Sequence, residues 1–320
     1  CMSTIIFIFS GISLFLLSLG MIKNHLNNLF SNKIYNLLYK FTNSKTKSFL
    51  FGCCSAALIQ SSSGVTAISI SLLASKYIKP KDCLGIIIGA NLGTCLTTFI
   101  TAINIRHISL ILIIMSFLIS VFIKNKYHYA LFLSYIGLML LGLDILKLGF
   151  NSILSHPFIY QIIQNIQNNF LLSLLFGIST TAIIQSSSGI ISIVENMYDA
   201  NIINLTCGIV IMLGSNIGTT LTGYLSTINT SKECKSIINA NLVFNILGVL
   251  LFIICFNPFL NIVIKLKNKY FLYNKKIVIA IAHFFFNIIT VALGYLLFPL
   301  FSPFIKNKLT IEKKNSIINV

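Results

Sequence analysis

Two short polar stretches carry the densest chemistry in the chain. They read LIQSSSG at Leu58–Gly64 and IIQSSSG at Ile183–Gly189, each inside a long apolar run. Four adjacent polar side chains are costly to bury unless they find partners. The hydroxyls of Ser61, Ser62, Ser63 and Ser186, Ser187, Ser188 can donate to an anion or offer lone pairs to a hard cation, and the amides of Gln60 and Gln185 can do both. Gly64 and Gly189 are expected to permit the backbone geometry of a break. The two glutamines stand 125 residues apart, and a second element keeps that spacing: GANLGT at Gly89–Thr94 and GSNIGT at Gly214–Thr219. It adds neutral oxygens from Asn91, Thr94, Asn216 and Thr219, with glycines that allow close approach or unwinding. The set suits an anion carried together with Na⁺ better than a soft metal. A lone serine cluster would read as helix packing. Duplication of two motifs at one offset points instead to a site assembled from two halves.

Single titratable residues add less. Glu195 follows Ser188 by seven residues, and its counterpart at the 125-residue offset is Ile70, so it breaks the symmetry of the halves. A carboxylate at that depth is a candidate for Na⁺ or H⁺, set against a place near the interface beside Asn196 and Asp199. Asp144 is expected to pair with Lys147, His283 to be a packed, hydrogen-bonded histidine, and Arg106 and His107 to sit in a tight interfacial loop. An intramembrane serine hydrolase would need one serine with one base; here the serine cluster is duplicated and the histidine is not. No enzyme is expected. The eight cysteines form no metal-binding spacing, and disulfides are not expected.

These side chains must be positioned by membrane helices. Of 320 residues, 56% are hydrophobic and 9% charged, where a soluble domain carries about 25% charged residues. The net charge of +17 comes with no aromatic-basic module for nucleic acid, so a lipid bilayer is the expected partner. A span needs about 20 apolar residues. Candidates are Ile5–Ile22, Leu84–Ile103, Ile108–Ile123, Ala130–Phe150, Ile203–Ser226, Ile237–Phe256 and Ile277–Phe298. Lys23–Lys47 reads as an interfacial amphipathic helix, Asn151–Asn169 as a polar connection and Asn257–Lys276 as a loop. In 48–75 and 170–197 the polar knot leaves two pieces of about a dozen residues, each roughly 18–20 Å long as helix. Re-entrant hairpins fit these lengths, with their tips buried in protein.

The expected fold is therefore an all-α polytopic membrane protein with two repeats. Residues 1–125 hold the first repeat, 126–302 the second with the C-terminal spans, and 303–320 a cytoplasmic tail. With seven crossings, three of them between the hairpins, the repeats are inverted and the hairpins enter from opposite faces, an architecture of secondary transporters. The lysine-rich loops Lys23–Lys47, Ser75–Asp82, Lys124–Lys126 and Ser231–Lys235 and the tail share one side, which the positive-inside rule makes cytoplasmic. Asn257–Lys276, with five lysines, lies on the other.

The chain resembles the type II Na⁺/phosphate cotransporter family, including its bacterial members. The resemblance rests on both QSSS stretches, both GANLGT-type elements, NLVFNILG at Asn241–Gly248 and HFFFN at His283–Asn287. It implies that Gln60–Ser63 and Gln185–Ser188 surround inorganic phosphate, and that Asn91, Thr94, Asn216 and Thr219 help place Na⁺, the coupling ion, with Glu195 a further candidate. No other cofactor is implied. The implied function is Na⁺-dependent phosphate transport by alternating access in the cell (inner or plasma) membrane; a phosphate exporter or channel of the same fold is the alternative. Many bacterial members carry a helical PhoU-type domain after the membrane part, for which this chain is expected to be too short.

Overall fold

In the computed structural model, residues 2–41, 44–103, 107–123, 126–153, 157–225, 227, 230–272 and 274–296 are described, with side chains from 4 onward except at 30–41, 45, 151–153 and 157–159. All regular structure among them is α-helical. The elements are α1 (Met2–Phe41), α2 (Lys45–Ile59), α3 (Ser62–Ala74), α4 (Pro80–Gly93), α5 (Cys95–Thr101), α6 (Ile108–Phe122), α7 (Tyr127–Ile153), α8 (Pro157–Asn168), α9 (Phe170–Ile184), α10 (Ser187–Asp199), α11 (Leu205–Leu225), α12 (Lys232–Ile254), α13 (Phe256–Tyr270) and α14 (Lys275–Leu296). The 125-residue offset carries through the backbone: α2 maps onto α9 and α3 onto α10 residue for residue, and α1 maps onto α7 plus α8. Arg106, the tail and the start of the Lys124–Lys126 loop lie outside the described residues.

Among the described residues, six stretches are long and apolar enough to cross a membrane: Thr4–Leu29, Pro80–Thr101, Tyr127–Phe150, Leu205–Tyr224, Lys232–Ile254 and Lys275–Leu296. The seventh expected span, Ile108–Ile123, forms a helix of 15 residues, roughly 22 Å long and short of the ~30 Å hydrocarbon core. Three connections also differ from expectation. The segment from Lys23 does not start a separate interfacial helix: α1 runs unbroken from the first span to Phe41, because no proline or glycine follows Gly20 to interrupt it. The polar run Asn151–Asn169 contains α8, which turns through 109° into α9. Asn169 makes that corner, its side chain accepting from the Leu172 N–H at 3.1 Å. The lysine-rich stretch after Cys255 is largely α13, anchored by buried Phe259 and Val263, with Lys265 and Lys269 exposed.

Two apolar cores hold these elements. One gathers Phe15, Leu19 and Ile22 of α1, Met139, Leu143 and Leu146 of α7, Ile190, Ile191 and Val194 of α10, and residues of α11 to α14. The other joins α2, α3 and α4 to α12 through Phe49, Ile70, Ile86, Ile87, Ile237 and Phe244. Within each repeat the first hairpin arm crosses the following span backbone to backbone. A Cβ on Gly52 would lie 2.0 Å from Ile86 O, one on Gly89 2.1 Å from Phe49 O and one on Gly93 2.2 Å from Cys53 O. The second repeat reproduces the crossing at Gly177, Gly214 and Gly218 against Ile211 O, Leu174 O and Ile178 O. The glycines of the GANLGT-type elements thus serve close approach, and in the first repeat Gly93 is also the last residue of α4 before the break at Thr94. Small residues allow this contact between membrane helices, where packing rather than the hydrophobic effect drives association.

Candidate functional site

Each polar knot is the break between two short helices, and both breaks are built alike. Gln60 (φ 55°, ψ 34°) ends α2 and Gln185 (φ 58°, ψ 30°) ends α9, both in the left-handed region. The next residue, Ser61 or Ser186, is extended and caps the following helix. Ser61 Oγ accepts from the Gly64 N–H at 3.1 Å, and Ser186 Oγ from the Gly189 N–H at 3.3 Å. The strained residue of each break is therefore glutamine. Gly64 and Gly189, expected to permit the break, have negative φ; they lie in the first helical turn and supply the capped N–H. The chain tolerates φ > 0 at a non-glycine residue only when its surroundings fix it, and here the side chain faces a site.

The two breaks meet. One polar cavity is lined by Gln60, Ser61, Ser62, Ser63, Gln185, Ser186, Ser187 and Ser188, together with Thr94, Thr219 and Lys23. The N-termini of α3 and α10 both open onto it. Each presents unpaired backbone N–H groups and the positive end of a helix dipole, the arrangement that receives phosphate or another oxyanion. Ser61 Oγ lies 3.2 Å from Ser63 Oγ, while Ser186 Oγ accepts from Lys23 Nζ at 3.0 Å. Gln60 is buried and its Oε1 has no partner, an unsatisfied acceptor in a place where such groups are costly.

Asn91, Asn216 and Glu195 stand outside this lining. Asn91 Nδ2 donates to Asn245 Oδ1 at 3.4 Å, and Asn245 in turn donates to the Asn241 carbonyl at 3.0 Å. Asn216 Nδ2 donates to the Met212 carbonyl at 2.9 Å. Thr94 and Thr219 reach the cavity wall with hydroxyls bonded to the carbonyls of Asn91 and Ser215. Glu195 is fully buried within the protein. Its Oε2 accepts from Thr101 Oγ1 at 2.9 Å, Thr101 Oγ1 is 2.7 Å from Ser192 Oγ, and Ser192 Oγ donates to the carbonyl of cavity-lining Ser188 at 2.8 Å. Glu195 Oε1 is left without a partner. The carboxylate is thus one hydroxyl relay away from the second serine stretch.

One expected pairing is replaced. Asp144 does not bond Lys147: its Oδ2 accepts from Ser109 Oγ at 2.7 Å, and Lys147 pairs with Asp199. Asp144 and Lys147 are three residues apart on α7, and packing against α6 and α10 offers each a nearer partner. His283 is buried with Nδ1 at 3.4 Å from Thr98 Oγ1, a packed histidine as expected. Lys23 was missed as a site residue because it sits in a stretch that reads as interfacial. Its one sequence signal was that the apolar run Ile5–Ile22 ends on it.

The family description "Na+/Pi-cotransporter" matches the chain at residues 14–148 and 149–296. Among curated proteins, "Uncharacterized protein YqeW" of Bacillus subtilis is 31% identical over 245 residues, covering 74% of this chain and 78% of YqeW. "Putative inorganic phosphate export protein YjbB" of Escherichia coli is 23% identical over 292 residues, covering 90% of this chain and 52% of YjbB. The YjbB protein of Salmonella typhimurium matches to the same extent. The chain thus spans about half the length of the YjbB proteins. No solved structure matches. With both serine stretches on one cavity and a family match across both halves, the chain is a multi-span membrane protein belonging to the Na⁺/Pi-cotransporter family.

Proposed function

We propose that the chain is a secondary carrier of inorganic phosphate coupled to Na⁺. The observation that carries this reading is the convergence of both QSSS stretches, two helix N-termini and an ammonium on one cavity. Phosphate oxygens are acceptors. The hydroxyls of Ser61–Ser63 and Ser186–Ser188, the glutamine amides and the α3 and α10 N–H groups are donors on the wall of one cavity. Na⁺ takes neutral oxygens, for which Thr94, Thr219 and the unpaired Gln60 Oε1 lie at the wall. Asn91, Asn216 and the free Glu195 oxygen complete the candidate Na⁺ ligands beyond it.

In this reading the two repeats are inverted, so that the cavity opens to each side in turn. Inversion needs α6 to cross. Its length is short, but Leu110, Ile111, Ile114, Met115, Phe117, Leu118, Val121 and Phe122 are exposed around it, a surface suited to lipid, and a bilayer thins locally around short spans. The C-terminus then faces the cytoplasm. Phosphate export is a second reading, favoured by the name of the YjbB relatives. Proteoliposomes loaded with radiolabelled phosphate, or bathed in it, under Na⁺ gradients of either sign test both. Flux that follows the Na⁺ gradient is the expected result. Flux indifferent to Na⁺ would defeat the coupling, and absence of flux from folded protein would defeat the carrier.

A further inference from the structure

Lys23 is the cavity-lining residue that the two repeats do not share: 125 residues on, its counterpart is Leu148. It lies one turn past Leu19 on α1, and a Cβ on Gly189 would stand 3.4 Å from Leu19 Cδ2. α1 therefore crosses the first turn of α10, and Lys23 is delivered to the Ser186 cap. The ion pair among the described residues joins Lys147 to Asp199, so Lys23 has no carboxylate against it there. An ammonium held inside a membrane protein without a counter-charge is costly. The cavity is where a counter-charge can enter.

The hydroxyl of Ser186 has one hydrogen to give and two lone pairs. One lone pair takes the Gly189 N–H and the other the Lys23 ammonium. Only donation remains, so Ser186 can bind an anion but has no lone pair for Na⁺. In the first repeat Ser61 takes the Gly64 N–H and shares a single hydrogen bond with Ser63; among the described residues no ammonium bonds it. The two stretches are equal in sequence and unequal in charge.

We infer that Lys23 is a tethered cation, resident in the cavity wall, which fixes Ser186 as a donor and takes the place of one mobile cation in neutralising the bound anion. A monoanion beside Lys23 is then already neutralised, and a dianion needs one further positive charge. The inference rests on the phosphate-carrier reading above.

Equilibrium binding of radiolabelled inorganic phosphate to the purified full chain, in choline chloride and in sodium chloride, tests it. Wild type is expected to bind phosphate in choline. Lys23→Gln removes a charged hydrogen-bond donor and should weaken binding there by about tenfold or more, with much of the loss recovered in sodium. Lys23→Arg, which keeps the charge, should stay within a few-fold of wild type, a rescue that a purely structural role for the amine would not give. Monodisperse elution and an unchanged melting temperature establish that each variant is folded. Equal affinity of Lys23→Gln and wild type in choline overturns the inference and leaves the carrier reading standing. So does a wild type that needs Na⁺ as strongly as Lys23→Gln. A folded wild type that binds phosphate in neither salt overturns the carrier reading, and the inference with it.

Discussion

Replacing Gln185 by glycine should make the protein more stable and less active. Gln185 holds φ 58° and ψ 30°, a conformation that costs a residue with a Cβ about 1–2 kcal/mol and costs glycine almost nothing. The side chain is exposed, and among the described residues it makes no hydrogen bond that would be lost. Relief of the backbone therefore outweighs lost packing, and the expected gain is about 1 kcal/mol, or a rise of about 2 °C in melting temperature. The chain has no tryptophan, so a thiol-reactive dye reporting on buried Cys83, Cys95, Cys207 and Cys234 suits the melting curve. Gln185→Ala is the control: it removes the same amide, keeps the strained φ and should gain nothing. Both variants lack a cavity-lining amide and should lose phosphate uptake. A glycine variant that melts no higher than the alanine variant would refute the claim that strain is stored at the break. Full uptake by both would remove Gln185 from the site. Gln60 is less clean for this purpose, because it is buried and glycine there also leaves a void.

Four further outcomes follow from the structure. Gly93→Ala and Gly218→Ala would set a Cβ 2.2 Å from Cys53 O and 2.6 Å from Ile178 O; each should lower the melting temperature by the equivalent of about 2 kcal/mol. Gly20→Ala, with nothing within 4 Å, should instead raise it through helix propensity, by up to about 1 kcal/mol. Glu195→Gln keeps the Thr101 contact and should fold normally but raise the Na⁺ concentration for half-maximal uptake; an unchanged Na⁺ dependence would take Glu195 out of the cation path. Lys147→Met breaks the pair with Asp199, in which the lysine is 39% exposed, and should cost less than about 1 kcal/mol with phosphate binding intact.

Much of this arrangement was legible in the sequence because a repeat is a pattern in one dimension. The 125-residue offset named the two breaks, and break lengths named the hairpins; α2, α3, α9 and α10 begin and end close to where the polar knots required. What the sequence hid depends on which faces meet. Spacing alone did not show that Lys23 turns back onto Ser186, since its placement comes from α1 crossing α10. Asn91 and Asn216 share a motif with Thr94 and Thr219 but stand outside the cavity lining, their amides taken up by Asn245 and by the Met212 carbonyl. The Asp144–Lys147 pairing failed for a related reason: neighbours on one helix compete with partners on others. Gly64 and Gly189 drew attention as flexible residues, yet the left-handed turn fell on the glutamines.

The glycine crossings also have a mechanical meaning. Where α2 meets α4, and α9 meets α11, backbone touches backbone with no side chain between to flex or slide. Each first arm is in effect welded to its following span, so the pair can travel only as one rigid strut. Any exposure of the cavity to alternate sides must then come from the looser seams, such as α3 against α11 and α10 against α5. The arm that ends on each glutamine cannot swing alone; it carries its span with it.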